Sequence, residues 1–191
     1  MSEKAFDSRS IDQPIFYKSL GELIENRVII RDPEINPYHE KRFYGSLSDL
    51  GRELNLIESA HLILRDRLEV FQVKKEKEQN LTIDEFVRIG EERVDDFLSL
   101  LKVYNDLREK GYIVSSGFEL GGDFKIYERG SIPTKSYPKY TVRVLKEENA
   151  LKLSDLSSLS RATTATKTKL LMAIVTRHDL IRYYEFNHRK L

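Results

Sequence analysis

Apolar positions in the first half of the chain recur with a helical period at one place. Ile57, Ala60, Leu64 and Leu68 fall on one face, with Asn55 placed to cap the helix and Glu58 three residues on to complete a capping box. This spacing predicts a helix from about residue 56 to near Val70. Before it, ENRVIIRDPE and KRFYGSL read as short strands, separated by the turn formers Asp32, Pro33, Asn36 and Pro37. After it, KKEKEQN (residues 74–80) has five charges and no apolar residue, the pattern of a solvated loop.

Thr82 and Glu85 form a second capping box, followed by an apolar stripe of Val94, Phe97, Leu98, Leu101, Tyr104 and Leu107. Gly90 is expected to divide this region into two helices, and Gly111 to end the second. The pattern then changes to strands: YIVSS from 112, DFKIYE from 123, YTVRVL from 140, LLMAIVT from 170 and LIRYYEF from 180. Ser154 is placed to cap a short helix through LSSLSRATTA. LLMAIV, apolar on both faces, is expected to be a central strand. The alternation predicts an α/β (α+β) chain: a mixed N-terminal domain over 1–95, then an α/β domain over 96–191 in which a mixed sheet is flanked by helices.

Composition narrows the chemistry. The 191 residues carry 32 basic and 31 acidic side chains, a net charge of +1, so no global field attracts nucleic acid. An RNA partner requires basic residues gathered on one face, or a field supplied by another subunit. There is no cysteine, which excludes disulfides, thiolate metal sites and a cysteine nucleophile. The first thirty residues lack a signal-peptide core, and no apolar run reaches the roughly 20 residues of a membrane span. A soluble, cytoplasmic protein is expected. Dense mixed charge without cysteine leans towards a thermophile.

VYNDLREKGYIVSSGFELGGDFKIYERG (residues 103–130) closely resembles the start of the catalytic domain of archaeal tRNA-splicing endonucleases. The resemblance continues through KYTVRVL, LSRATTATKTKLLMAIV and DLIRYYE. FYGSLSDLGRELNLIESAHLILRDRLEV is similar to the first domain of the same family. Together these stretches cover most of residues 42 to 186.

The resemblance implies a metal-free chemistry in which tyrosine, histidine and lysine cleave RNA. The 2′-hydroxyl beside the scissile phosphate is the nucleophile, and the ends are a cyclic phosphate and a 5′-hydroxyl. One group must take the 2′-hydroxyl proton, another must protonate the leaving oxygen, and a cation must stabilise the phosphorane. Carried over by motif, the tyrosine falls on Tyr127, the histidine position on Tyr137 and the lysine position on Thr168. A phenol with a pKa of about 10 is a poor base at neutral pH, and threonine carries no charge. Lys167 and Lys169 flank Thr168, but a one-residue slip would reverse the facing of the strand that follows. The resemblance therefore implies the structural, non-catalytic subunit of the crenarchaeal heterotetrameric type. Its expected partners are a catalytic paralogue and precursor tRNA, with no cofactor.

Three further sites follow from the resemblance. Arg161 stands where the family has an arginine that stacks on a bulge base; the bland alternative is a solvated helix arginine. Tyr183 and Tyr184 lie on the last strand, near where the second stacking residue is expected, with packing in the core or across the family's dimer interface as the alternatives. Glu147 and Glu148 lie in a loop where relatives dock an acidic segment into a neighbour's basic pocket; a solvated turn is the alternative. Two rival functions stay open: a metal-dependent nuclease using Asp123 and Lys125 with Asp106 or Glu119, and a non-enzymatic RNA-binding scaffold. His178 lies in a turn and His188 in the tail, His61 is expected to pack or face solvent, and isolated His39 gives no metal-ligand spacing.

Overall fold

The computed structural model describes residues 18–31 and 37–187. Asp32, Pro33, Asn36 and His188 lie outside the described residues. The chain forms two mixed sheets joined by a pair of helices. In the first, β3 (Ser46–Ser48), β4 (Gly51–Asn55), β2 (Arg27–Ile30), β1 (Ser19–Ile24), β5 (Leu68–Lys74) and β6 (Lys77–Leu81) lie side by side in that order. Only β1 and β5 run parallel. A short α1 (Pro37–Lys41) precedes β3, and α2 (Leu56–Leu64) packs on the sheet.

The capping boxes form as read. Asn55 Oδ1 accepts from the Glu58 amide at 2.8 Å, and Thr82 Oγ1 from that of Glu85 at 3.3 Å. Other expectations change. Helix α2 stops at Leu64, and Leu68 and Val70 belong to β5, because the turn at 65–67, with Asp66 at φ 57°, brings the chain back beside β1. The polar run 74–80 is a tight hairpin, not a loop: β6 pairs with β5 through Gln72 opposite Gln79, its charges facing solvent on an edge strand. Residues 41–45 of KRFYGSL are the end of α1 and a turn. Gly90 does not divide the helices.

Helix α3 (Ile83–Arg93) runs through Gly90, and the break comes at 94–96, where Asp96 is left-handed (φ 56°) before α4 (Phe97–Glu109). Glycine serves a different purpose at 90. A Cβ there would lie 2.4 Å from the Phe97 ring, so its absence lets α3 and α4 approach closely. Gly111, at φ 89°, ends α4 as expected.

The second sheet has the order β11 (Ile181–Phe186), β10 (Lys169–Val175), β9 (Tyr140–Lys146), β8 (Phe124–Tyr127), β7 (Ile113–Ser116). LLMAIV is thus second from the edge, and β9 is central. β9 and β10 are parallel, as the intervening α5 (Leu153–Ala165) allows; the other pairs are antiparallel. Helix α5 starts a residue before Ser154, with Lys152 at its cap. Helix α4 covers one sheet face and α5 the other. Phe97, Leu101, Tyr104 and Leu107 of α4 join the interiors of both sheets into one core.

Candidate functional site

Strand alternation sorts the second domain's residues between its two faces. On β8, Phe124 and Ile126 enter the core with α4, so Lys125 and Tyr127 point to the opposite face. Lys125 pairs in register with Thr141, and Thr141 with Leu170 on β10. Thr168, two residues before Leu170, continues that face. The family's tyrosine and lysine positions are therefore brought to the same side of the sheet.

The residues at the three expected positions sit in different surroundings. Thr168 is buried, its hydroxyl 2.9 Å from that of Thr141 and 3.1 Å from that of Thr166. Tyr127, 6% exposed, lines a cleft between the two domains with Lys125, Ser116, Glu119 and Glu53. Tyr137 is 82% exposed in the segment between β8 and β9. Lys125, a cation on this face, is held by Glu119 at 3.1 Å.

Neither flanking lysine reaches this face from the strand. Lys169 pairs in register with Tyr140 on the α4 side and bonds Glu185 at 3.0 Å. Lys167 is exposed in the turn, at φ 56°.

Asp123 and Lys125 are engaged by separate partners. Asp123 Oδ1 takes the Arg143 guanidinium at 3.0 Å, and Oδ2 the Val144 amide at 2.6 Å. Burial raises the Asp123 pKa, opposed by these two partners. Among the described residues, no three His, Asp or Glu side chains gather as a metal would require.

Arg161 is exposed on α5, its guanidinium 3.4 Å from the Ser158 hydroxyl. The two strand tyrosines part company. Tyr183 turns onto α4 and donates to Asp106 at 2.6 Å, and burial first, then this bond, pushes its pKa well up. Tyr184 points the other way, 45% exposed, into a groove with Met172, Ile174 and Phe186. Glu147 accepts the Arg177 amide at 2.9 Å, tying its loop to the turn between β10 and β11; Glu148 is exposed.

The sequence reading missed the seam between the domains. His61 of α2 sits 2.5 Å from Asn105 Oδ1 of α4 through Nδ1, and 3.0 Å from the Tyr44 hydroxyl through Nε2. Arg108 Nε donates to that same hydroxyl at 3.2 Å. Because Asn105 Oδ1 can only accept, Nδ1 carries the histidine proton, and the Tyr44 hydroxyl donates to Nε2 while accepting from Arg108. Burial lowers the pKa of His61 to about 4, and burial followed by Arg52 does the same for His39, whose Nε2 lies 2.9 Å from Ser19 Oγ. No sequence motif marks this network, whose members come from separate segments.

The class is that of a two-domain α+β chain with a tyrosine-lined cleft between its two mixed sheets. The comparisons with known proteins agree. Residues 19–87 match the tRNA intron endonuclease N-terminal domain, and residues 97–183 the tRNA intron endonuclease catalytic C-terminal domain. A tRNA-splicing endonuclease of Methanothermobacter thermautotrophicus is 34% identical over 165 residues, covering 86% of this chain and 94% of that protein. One from Thermococcus gammatolerans is 32% identical over 151 residues, covering 79% and 86%. One from Sulfurisphaera tokodaii is 29% identical over 185 residues, covering 90% and 99%. The chain belongs to the tRNA intron endonuclease family. No helix among the described residues is long and apolar enough to cross a membrane.

Proposed function

We propose that this chain is the structural subunit of a heteromeric tRNA-splicing endonuclease, working in the cytoplasm beside a paralogue that keeps the tyrosine, histidine and lysine. The assembly excises introns from precursor tRNA at bulge-helix-bulge sites, leaving 2′,3′-cyclic phosphate and 5′-hydroxyl ends. This chain serves assembly and RNA positioning. The observation that carries the reading is the face bearing Tyr127: the lysine position holds a buried threonine bonded to two other hydroxyls, and the histidine position an exposed tyrosine. Neither can take the 2′-hydroxyl proton at neutral pH or place charge against a phosphorane.

In this reading Arg161 stacks on a bulge base, Tyr184 and the outer edge of β11 meet the paralogue, and the loop of Glu147 and Glu148 docks against a basic pocket of a neighbour. The edge of β11 supports the interface role, since an unpaired strand rich in tyrosine invites a partner. The test is cleavage of a bulge-helix-bulge RNA by this chain alone, by the paralogue alone and by the mixture. Cutting by the mixture is expected to exceed that of either subunit, with none from this chain alone. Cutting by this chain without metal would remove the structural-subunit reading. Magnesium-dependent cutting lost in Asp123→Ala would transfer the activity to a metal mechanism.

A further inference from the structure

At the end of the second sheet that carries Tyr127, a cleft of about 840 Å³ opens between the domains. It is lined by six cations, Lys41, Arg42, Arg65, Arg108, Lys110 and Arg129, and by one carboxylate, Glu109, which Arg65 already binds at 2.8 Å. The six come from four separate stretches of a chain whose net charge is only +1. They are gathered by the fold. Lys110 is also bonded to Asp106, whereas among the described residues Lys41 and Arg129 have no carboxylate partner and are exposed.

Arg108 is the floor of this cleft. Its guanidinium lies 3.9 Å from the centre of the Tyr44 ring, Nε donates to the Tyr44 hydroxyl, and Nη2 donates to the Arg42 carbonyl at 3.0 Å. Nη1 is buried and, among the described residues, has no acceptor. A buried guanidinium N–H without an acceptor is costly. The positive charge of Arg108 adds to the field at the floor of the cleft.

We propose that this cleft binds the phosphate backbone of RNA, at a subsite separate from the face of Tyr127. The proposal rests on the RNA reading above and extends it. Two observations favour RNA over an acidic protein segment. Phe43 and Tyr112 line the cleft between the cations, and cations interleaved with aromatic rings suit a strand that offers both phosphates and bases. Residues 129–132, which form one wall, belong to the same β8–β9 segment as Tyr137 and directly follow the strand that carries Tyr127.

The experiment uses the full chain and a fluorescent 12-nucleotide single-stranded RNA, with affinity measured across a salt series. Lys41→Ala with Arg129→Ala removes two exposed cations outside the Tyr44–His61 network, so the fold is expected to survive. Removing two phosphate contacts should weaken binding about 10-fold at low salt and flatten the slope of log K against log salt by about 1.4. Lys75→Ala with Lys77→Ala, in the distant β5–β6 hairpin, removes the same charge and should leave affinity within about twofold. Ultraviolet crosslinks should fall on Phe43 or Tyr112. Equal loss in both double variants, or no loss in either, overturns the cleft while leaving RNA binding intact. A wild-type chain that binds no RNA overturns both the cleft and the RNA reading. A ten-residue oligoglutamate that binds the cleft, with RNA affinity untouched by the cleft variants, overturns it in favour of protein docking.

Discussion

The hydroxyls of Thr168, just before β10, and Thr141, on the parallel neighbour β9, lie 2.9 Å apart in the interior, with Thr166 3.1 Å from Thr168. A lysine at 168 would have to place its ammonium where these hydroxyls now satisfy one another.

Thr168→Lys is therefore expected to destabilise the chain by about 1–3 kcal/mol, through a charge forced into a packed site without a carboxylate. Denaturant unfolding measures it. Stability equal to wild type would show that the side chain escapes to solvent from this position. In the double variant Tyr137→His with Thr168→Lys, weak cleavage of a bulge-helix-bulge RNA is expected, because Tyr127 already shares the face.

The buried histidines give a pH dependence with a definite sign. Both have folded-state pKa values of about 4 against about 6.5 in an unfolded chain. The unfolded state therefore binds more protons between these values. Their contribution is fully present above pH 6.5, falls as pH drops towards 4, and changes no further below that. The upper bound is roughly 3 kcal/mol for each. Urea midpoints between pH 7.5 and 4 should fall, and His61→Gln should flatten the curve; an unchanged slope would show that His61 titrates normally.

Tyr183 and Tyr184 should separate folding from assembly. Tyr183→Phe loses the 2.6 Å bond to Asp106, a loss of about 1.5–3 kcal/mol for a hydrogen bond to a charged acceptor, with mixing against the paralogue otherwise unaffected. Tyr184→Ala is expected to leave the isolated chain's melt nearly unchanged and to weaken assembly. Native mass spectrometry of mixed subunits alongside thermal melts reads both; the opposite pattern would place the interface on the α4 side.

Within the acidic loop, the two glutamates are distinguishable. Glu147→Lys removes the acceptor for the Arg177 amide and should cost the isolated chain about 1 kcal/mol. Glu148→Lys should cost almost nothing, since exposed charges contribute little to stability. If the loop docks on a neighbour, both weaken assembly, more at low salt than at moderate salt. Unaltered assembly by either variant at both salt levels would confine this loop to a local turn.

Gly90→Ala tests the close approach of α3 and α4. Alanine is the better helix former, yet its Cβ would sit 2.4 Å from a ring that is 1% exposed. Overpacking should win by about 1–3 kcal/mol. A stabilised variant would show that Phe97 can shift.

Local chemistry and motif order carried much of this protein. Both capping boxes, the left-handed Gly111, the five strands after residue 112 and the resemblance carried by residues 103–130 all depend on neighbours within a few positions, so they are legible in one dimension. Strand alternation also foretold that a slip onto Lys169 would reverse its facing. Other features needed the third dimension. Leu68 fits the α2 stripe by spacing, but the turn after Leu64 and the parallel pairing with β1 made it a strand residue. Gly90 looked like a breaker because the ring that needs its missing Cβ lies on another helix. KKEKEQN became a strand because backbone pairing with β5, not apolar content, holds an edge. Tyr183 and Tyr184, adjacent in sequence, were divided by the pleat, one spent on Asp106 and one left facing outward. The six cations of the cleft have no common motif, since only the packing of α1, α2 and α4 against the second sheet brings their charges within reach of one ligand.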